Sequence, residues 1–534
     1  MNKKIMSGSF WLSFGSIFSR MLGVLYLIPW LYMIGVDHQS GAQALNNSSY
    51  QPYALFISLA TAGFPSAVAR RIAMYNGQNK FLNAKRFTKL GFWVMLASGV
   101  VSGIVLYLIA PIIAKNSPVV SVKAATTSIR VLVPAIVIIP SMSITRGWFQ
   151  GNQDLKPYGV SQLWEQFIRV IFILVSTYII INVFHKSFVI AVYYSVFGAV
   201  VGAIASYIYL GLYYKKQSSQ YAAMAAKSLP DDLSGVKKTL LTIVYESIPF
   251  VIVGSGITIT QLIDQLFFKQ VMQNMLHKSA EFTQYIYTLF SANPTKVTTV
   301  VVSLAISVAE TTLPLLAQSK SAHKNNIGEL VVQNLNLLLF ALLPAITILS
   351  ALSYEINGVI FNFDLLGGDY LFWNIIQSLA LGMAINGLTL LQALHYSKKA
   401  MYYLISGILI KLVLQVPLVY WLQGFGAILA TTVAFGLVSF LSIWQICRDF
   451  HVKLRNLGLT LGLNIVFFAV MVLASTGLNR IYLPTSKIEA LIAGMIFGLI
   501  GLVLYLFFVN ETGLSQRVFN KKIGYKYFRY KHFE

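Results

Sequence analysis

Eight ionisable side chains fall where the chain is otherwise apolar or at the margin of such a stretch. Arg20, Arg169, Lys296 and Lys411 are cations, and Glu165, Glu246, Asp264 and Glu310 are acids. A guanidinium or ammonium held away from water attracts phosphate, and Arg can grip a pyrophosphate through two parallel donors. A carboxylate in the same setting can carry a proton or a sodium ion, or latch one helix to another. Arg20 is set about twelve residues into the first apolar stretch, roughly 18 Å, which is too deep for easy escape to either surface. Ser13, Ser16 and Ser19 give that stretch a small polar side, so Arg20 reads as a cavity contact, the alternative being an Arg bonded to backbone carbonyls. Glu165 and Arg169 are four apart and can pair on one helix face, a pattern that fits a structural role as well as a functional one. Lys411 lies mid-stretch with Gln415 one turn on and Pro417 beyond, where snorkelling is poor and cavity lining is favoured. Glu246 precedes Pro249, Glu310 precedes Pro314, and Asp264 is near the end of its stretch; each reads equally as a buried packing acid.

The deep set balances: Arg20, Arg169 and Lys411 against Glu165, Glu246 and Glu310. Only with the marginal Arg70, Arg146 and Lys296 does the interior lean cationic. A cationic cavity suits an anionic head group such as a pyrophosphate, and a balanced one suits a proton- or sodium-coupled carrier at least as well. Signs of catalysis are missing. The seven histidines include no HExxH pair, and there is no Gly-rich phosphate loop or nucleophile elbow. Asp231-Asp232 after Pro230 resembles a metal-binding pair of a membrane glycosyltransferase, but a Pro followed by two acids at a helix start is more often an N-terminal cap. The single Cys447 permits no internal disulfide and no Cys-based metal site. No cofactor is expected, and coupling to protons, sodium or the membrane potential is compatible with the buried charges.

The elements that must position these residues are transmembrane helices. Of 534 residues 57% are apolar and only 11% charged, against about 25% charged in an ordinary soluble chain. A soluble enzyme and a disordered chain are both excluded. Apolar segments of the length a bilayer demands lie near 8–33, 46–70, 91–113, 127–149, 160–183, 188–213, 239–265, 296–317, 331–352, 371–394, 401–422, 425–447, 458–476 and 489–509. Segments 46–70 and 296–317 are polar at their starts. Fourteen spans with both ends in the cytoplasm place Lys and Arg about three to one on the inside. The net charge of +23 is therefore mainly a topology signal, and no nucleic-acid partner is expected. The basic and aromatic tail, Tyr525 to Phe533, reads as lying on the anionic cytoplasmic leaflet. The first helix is too long to be the core of a cleaved signal.

The longest polar link follows the sixth span. It divides the chain into an N-lobe at 1–213, a cytoplasmic linker at 214–238, a C-lobe at 239–450, a final helix pair at 451–510 and a basic tail at 511–534. The fold class is all-α and polytopic, with two six-helix lobes plus two helices. At an offset of 242, Gln150 aligns with Gln392 and Arg169 with Lys411, which suggests the internal repeat common in transporters.

Several segments carry a family resemblance. The first helix reads Gly15-Ser16-Ile17-Phe18-Ser19-Arg20-Met21-Leu22-Gly23, and the second Ser58-Leu59-Ala60-Thr61-Ala62-Gly63-Phe64-Pro65 followed by Ala69-Arg70-Arg71-Ile72-Ala73. The most specific stretch runs Arg146-Gly147-Trp148-Phe149-Gln150-Gly151, Lys156-Pro157, then Ser161-Gln162-Leu163-Trp164-Glu165-Gln166-Phe167-Ile168-Arg169-Val170. Leu262-Ile263-Asp264 and Thr312-Leu313-Pro314-Leu315-Leu316-Ala317 add to it. Together they resemble the multidrug/oligosaccharidyl-lipid/polysaccharide (MOP) transporter superfamily, in particular its MurJ-type lipid II flippases and sporulation-type polysaccharide proteins. The resemblance implies two lobes alternating about a central cavity, through which an undecaprenyl-pyrophosphate-linked sugar passes head group first. It also implies a groove for the lipid tail on the last two helices. Arg20 matches the cavity arginine of the first helix, and Lys296 lies near a basic position at the start of the eighth. An Arg-Asp pair common in the MurJ type is replaced by apolar residues around Tyr26, and its second-helix cavity arginine has no assigned counterpart here, since Arg70 and Arg71 are peripheral.

The expected function is a bacterial plasma-membrane flippase for a lipid-linked cell-wall precursor, lipid II foremost. Export of a teichoic-acid or capsule unit and cation-coupled drug export are the alternatives within the superfamily. A glycosyltransferase dependent on Asp364 or Asp369, and a transport-silent scaffold, are the rivals outside it. The expected partners are the lipid-linked oligosaccharide, membrane lipids and cell-wall synthesis proteins. Gly63, Pro65, Pro249 and Pro314 are hinge candidates.

Overall fold

A computed structural model describes residues 18–61, 64–230, 245, 247–321, 327–452 and 454–514. Among them there is no strand, and eleven helices are long and apolar enough to cross a bilayer, or thirteen if each of two bent helix pairs is one span. The chain is thus an all-helical polytopic membrane protein. Asp231-Asp232, Glu246, Ser13, Ser16, Gly63 and the tail from Tyr525 lie outside the described residues.

The chain forms two compact units that divide between Ala292 and Asn293. In the first, α1 (Phe18–Ile34) turns at Gly35, and the pair that it makes with 36–61 is bent by 112°. Gly35 has φ +84°, a left-handed backbone that glycine adopts without strain. This pair is where the sequence places two spans. After it come α2 (Gln39–Thr61), α3 (Phe64–Gly77), α4 (Phe81–Asn116), α5 (Val122–Gly151), α6 (Lys156–Val183) and α7 (Phe188–Lys216). The short α8 (Ser218–Ala226) follows, then the bent pair α9 (Ser247–Gly254) and α10 (Gly256–Met275), and α11 (Ala280–Tyr287).

Two outcomes differ from expectation. The second helix begins at Gln39 rather than near 46, because its early turns are polar yet buried: Gln39, Gln43, Asn46, Asn47, Ser48, Ser49 and Gln51 all face inward. A hydropathy reading discards such residues, but here neighbouring helices supply partners. Gln265 Nε2 donates to the Ser48 carbonyl at 2.9 Å, and Asn47 Nδ2 donates to the Tyr287 hydroxyl at 2.9 Å. The link after the sixth span also begins as a helix, α8, whose Tyr221 packs on Phe81 and Trp148 with ring centroids 6.1 and 5.5 Å apart. Those rings join Ile72, Phe87 and Phe149 in the apolar core of this unit.

The second unit holds α12 (Asn293–Ser321), α13 (Ile327–Ala351), the short α14 (Ser353–Ile360), α15 (Leu365–Ala393), α16 (Ser397–Leu422) and α17 (Gly424–Phe450), then α18 (Gly458–Ile481) and α19 (Lys487–Glu511). Val301, Ala305, Leu338, Leu342, Leu371 and Ile375 form one core. A second core fixes the last two helices, with Phe467, Met471 and Tyr505 set against Ala351. The Ser475 hydroxyl donates to the Ala351 carbonyl beside it.

The histidines also find a use. His185, His277, His395 and His451 have φ between 49° and 66°, just past helix ends. Histidine is enriched in this left-handed region, so four of the seven punctuate the backbone.

Candidate functional site

The specific stretch from Arg146 to Arg169 folds into two adjacent but different arrangements. Arg146, on α5, reaches across to α6 and α7. Its Nη2 meets Glu165 Oε2 at 2.7 Å and donates to Ser206 Oγ at 3.0 Å, and its Nε donates to Ser161 Oγ at 2.9 Å. The Ser206 hydroxyl in turn donates to the Ser161 carbonyl at 3.1 Å. Glycine makes the close approach possible: a Cβ on Gly202 would stand 2.6 Å from the Glu165 carbonyl oxygen. A Cβ on Gly151 would stand 2.7 Å from the Ala69 carbonyl oxygen on α3. Small residues bring helix backbones together in this way inside membranes. Trp148 and Phe149 fill the core beside them. Most of the stretch is thus a clamp that fastens α3, α5, α6 and α7.

This changes the reading of Glu165 and Arg169. The two are four apart on α6, but Glu165 pairs with Arg146, whose fork is also held by two serine hydroxyls. Arg169 turns instead to the tyrosines of α1 and α2. Its Nη2 donates to the Tyr50 hydroxyl, and its guanidinium sits over the Tyr50 ring, 5.1 Å from the centroid. Tyr53 packs edge-on against Tyr50 with centroids 5.6 Å apart, and Tyr26 and Tyr53 share the electrostatic environment of Arg169. Behind them Trp30, edge-on to Tyr26, is fixed by its indole N–H to Ser195 Oγ at 2.9 Å. Among the described residues no carboxylate lies within ion-pair distance of Arg169. A guanidinium is stabilised by a phenol and an aromatic face, but neither carries the full negative charge that would neutralise it.

Arg20 belongs to the same unit. It is half-buried on α1, one turn from Gly23, where a Cβ would lie 3.5 Å from Gln166 Nε2 on α6. The helices carrying Arg20 and Arg169 are therefore packing neighbours. Asp264, on α10, is buried beside the fully buried Gln265, which bonds the Ser48 carbonyl and, at 2.7 Å, Ser117 Oγ. The remaining candidates lie in the second unit. Lys296 is half-buried near the start of α12, and Glu310 is exposed further along it. Lys411 is fully buried between α16 and α17, its Nζ donating to the Ala427 carbonyl at 2.9 Å and to Thr431 Oγ1 at 2.5 Å. Gln415, one turn on, is also fully buried. Among the described residues no three His, Cys, Asp or Glu side chains gather as metal ligands.

Sequence reasoning passes over Tyr50 and Tyr53. Their spacing of three on a helix, within the run Tyr50-Gln51-Pro52-Tyr53, places both rings on one side and is the signal that could have found them.

A sequence profile described as polysaccharide biosynthesis protein matches residues 5–320. The chain belongs to that family. Over 98% of its length the chain is 29% identical to the lipid II flippase MurJ of Bacillus subtilis (strain 168), covering 98% of that protein. Among solved structures it superposes on a lipid II flippase MurJ in an inward closed conformation with a TM-score of 0.65, at 14% identity, over 96% of this chain and 99% of that one. An inward-facing multidrug resistance MATE family transporter of the MOP superfamily matches with a TM-score of 0.61, at 12% identity, over 81% of this chain and 94% of that one. The chain therefore has the fold of MOP superfamily transporters.

Proposed function

We propose that this protein is a flippase of the bacterial cytoplasmic membrane that moves an undecaprenyl-pyrophosphate-linked cell-wall precursor, lipid II, between leaflets by alternating access. It is a carrier rather than an enzyme. The observation that carries the proposal is Arg169: a guanidinium deep in the helices, held by tyrosines and without a carboxylate partner among the described residues. An intramembrane charge is costly unless it is neutralised or wetted, so this one is poised for an anionic guest. A pyrophosphate supplies the missing charge and accepts two parallel N–H donors. The Tyr26, Tyr50 and Tyr53 hydroxyls can turn to the remaining phosphate oxygens, and their rings offer apolar faces to a sugar. Arg20 on the neighbouring helix adds a second cation. Lys296 is proposed, by itself, as a further substrate contact. Lys411 would meet the head group only when α16 and α17 part. The whole-length likeness to a lipid II flippase supports the substrate class.

Fourteen spans, both termini in the cytoplasm, and lobes at 1–213 and 239–450 belong to the same proposal, supported by the distribution of Lys and Arg. Residues 451–510 would carry the lipid tail while the head group crosses, and 511–534 would lie on the inner leaflet. Asp264, Glu246 and Glu310 are the groups proposed to couple transport to protons, sodium or the membrane potential. Glu165 is proposed to latch α6 through Arg146.

The test is replacement of a host's own lipid II flippase by this protein. Lipid II reaching the outer leaflet is cleaved by an externally added enzyme and counted. Rescue that is lost with Arg169→Ala and with Arg20→Ala, at normal insertion, is the expected result. Absence of rescue by well-inserted wild-type protein would refute lipid II as substrate and turn the search to teichoic-acid or capsule precursors.

A further inference from the structure

We propose that a groove between α6 and α7 binds the tail of a polyprenyl phosphate lipid, with Lys186 at its mouth taking the phosphate; this rests on the lipid-linked substrate proposed above. The groove has a volume of about 650 Å³. Its walls are apolar, with Ile168, Phe172, Val175 and Ile179 on α6 facing Tyr194 and Val201 on α7. It opens to the side of the bundle, where Val175, Ile179 and Tyr194 are exposed. Lys186 is the one charged residue among those that line it, so the opening favours an anion over a zwitterion or a cation.

Local backbone chemistry makes this end of the groove. The last turn of α6 is a π-turn, Ile179–Val183, which carries more residues per turn than an α-helix. The Phe184 N–H closes on the Ile179 carbonyl at 2.9 Å and the Lys186 N–H on the Ile180 carbonyl at 2.9 Å, with His185 in the left-handed region between them. The two bonds hold the Lys186 backbone at the lip. Length then selects the guest. From Ile168 to Phe184 the groove follows the helix for about 24 Å, well past the middle of a hydrocarbon core about 30 Å thick. The acyl chain of a phospholipid in one leaflet ends near that middle, whereas a polyprenyl chain anchored at Lys186 continues through it. In the proposed topology Lys186 faces outward, so the groove would receive the tail of a lipid whose head group has already crossed.

The experiment uses the full-length protein in phosphatidylcholine nanodiscs with a photoreactive undecaprenyl monophosphate as probe, and the labelled peptide is mapped by mass spectrometry. Label on residues 168–201 that unlabelled undecaprenyl monophosphate displaces and phosphatidylglycerol does not is the expected result. Lys186→Ala should lower that label about fivefold, the share of one lysine at a membrane surface. The paired change Val175→Trp and Val201→Trp should fill the groove and remove it. Equal displacement by phosphatidylglycerol, or no label there in wild-type protein, would overturn the proposal, and neither outcome depends on how a variant folds. Arg169→Ala should keep the groove label while losing translocation. Groove labelling in a protein that fails to move lipid II would refute the substrate reading alone. Translocation without groove labelling would refute the groove alone.

Discussion

Arg169 on α6 and Lys411 on α16 align at an offset of 242, yet their surroundings differ. Arg169 is half-buried among aromatic hydroxyls, with its neighbour Glu165 committed elsewhere. Lys411 is sealed, its ammonium on a backbone carbonyl and a threonine hydroxyl from the next helix. The positions one turn earlier differ in the same sense. Glu165 joins an ionic clamp, whereas Gly407 brings α16 so close to α17 that a Cβ there would meet Val438 at 2.3 Å. This turn of α6 forms a charged network, and the matching turn of α16 forms close apolar packing. A cation within a span is thus no sign of a substrate site by itself. What distinguishes the two is whether carbonyls and hydroxyls already satisfy the charge at full burial, or whether the group is left partly open among neutral partners.

The largest effect that would break this contrast is on Arg169. Arg169→Ala should reduce translocation at least thirtyfold, since truncating one member of a desolvated charge pair with the bound head group costs about 2–5 kcal/mol. Arg169→Lys should recover only part of it, because an ammonium lacks the paired donors. Retained translocation in Arg169→Ala would make the tyrosine cluster a structural feature. Next in size is the clamp. Arg146→Ala strands the Glu165 carboxylate and should destabilise the protein by about 3 kcal/mol, read as a lower unfolding temperature in detergent. The double change Arg146→Met with Glu165→Leu should recover most of that loss. A double variant as weak as the single one would show that the serine bonds, and not the ion pair, hold the helices.

Much of the molecule is legible in its sequence. The spans, the specific stretch and the isolated charges follow from apolar length and residue type, because a bilayer imposes one length and one penalty on every segment. Three things are not legible there. The start of α2 is polar, and hydropathy puts it seven residues late, since a hydropathy window does not see partners such as Gln265 that come from 217 residues away. Glu165 has two arginines within reach in principle, Arg169 on its own helix and Arg146 on the one before. Sequence spacing favours the former, and the Gly202 contact and Ser206 favour the latter. The tyrosines around Arg169 do not stand out because aromatic residues in an apolar helix are ordinarily packing. Only the guanidinium on the Tyr50 ring marks these as different.

Two smaller effects sharpen the contrast further. Lys411→Met nearly conserves length and removes a fully buried charge, so it should leave translocation intact and stability unchanged or higher. Loss of translocation at normal stability would instead show that α16 and α17 open during transport and present Lys411 to the substrate. The smallest is Tyr50→Phe. It keeps the ring beneath the Arg169 guanidinium and deletes only the hydroxyl that accepts from Nη2, a bond worth about 1 kcal/mol. If that hydroxyl only aims the guanidinium, the loss should be about fivefold in apparent substrate affinity, with the maximal rate unchanged. If the hydroxyl also donates to a phosphate oxygen as the head group settles, the rate should fall as well. The rate therefore tells whether Tyr50 positions the arginine or itself holds the substrate, a distinction with no counterpart at Lys411, whose ammonium donates to the Ala427 carbonyl and the Thr431 hydroxyl at full burial.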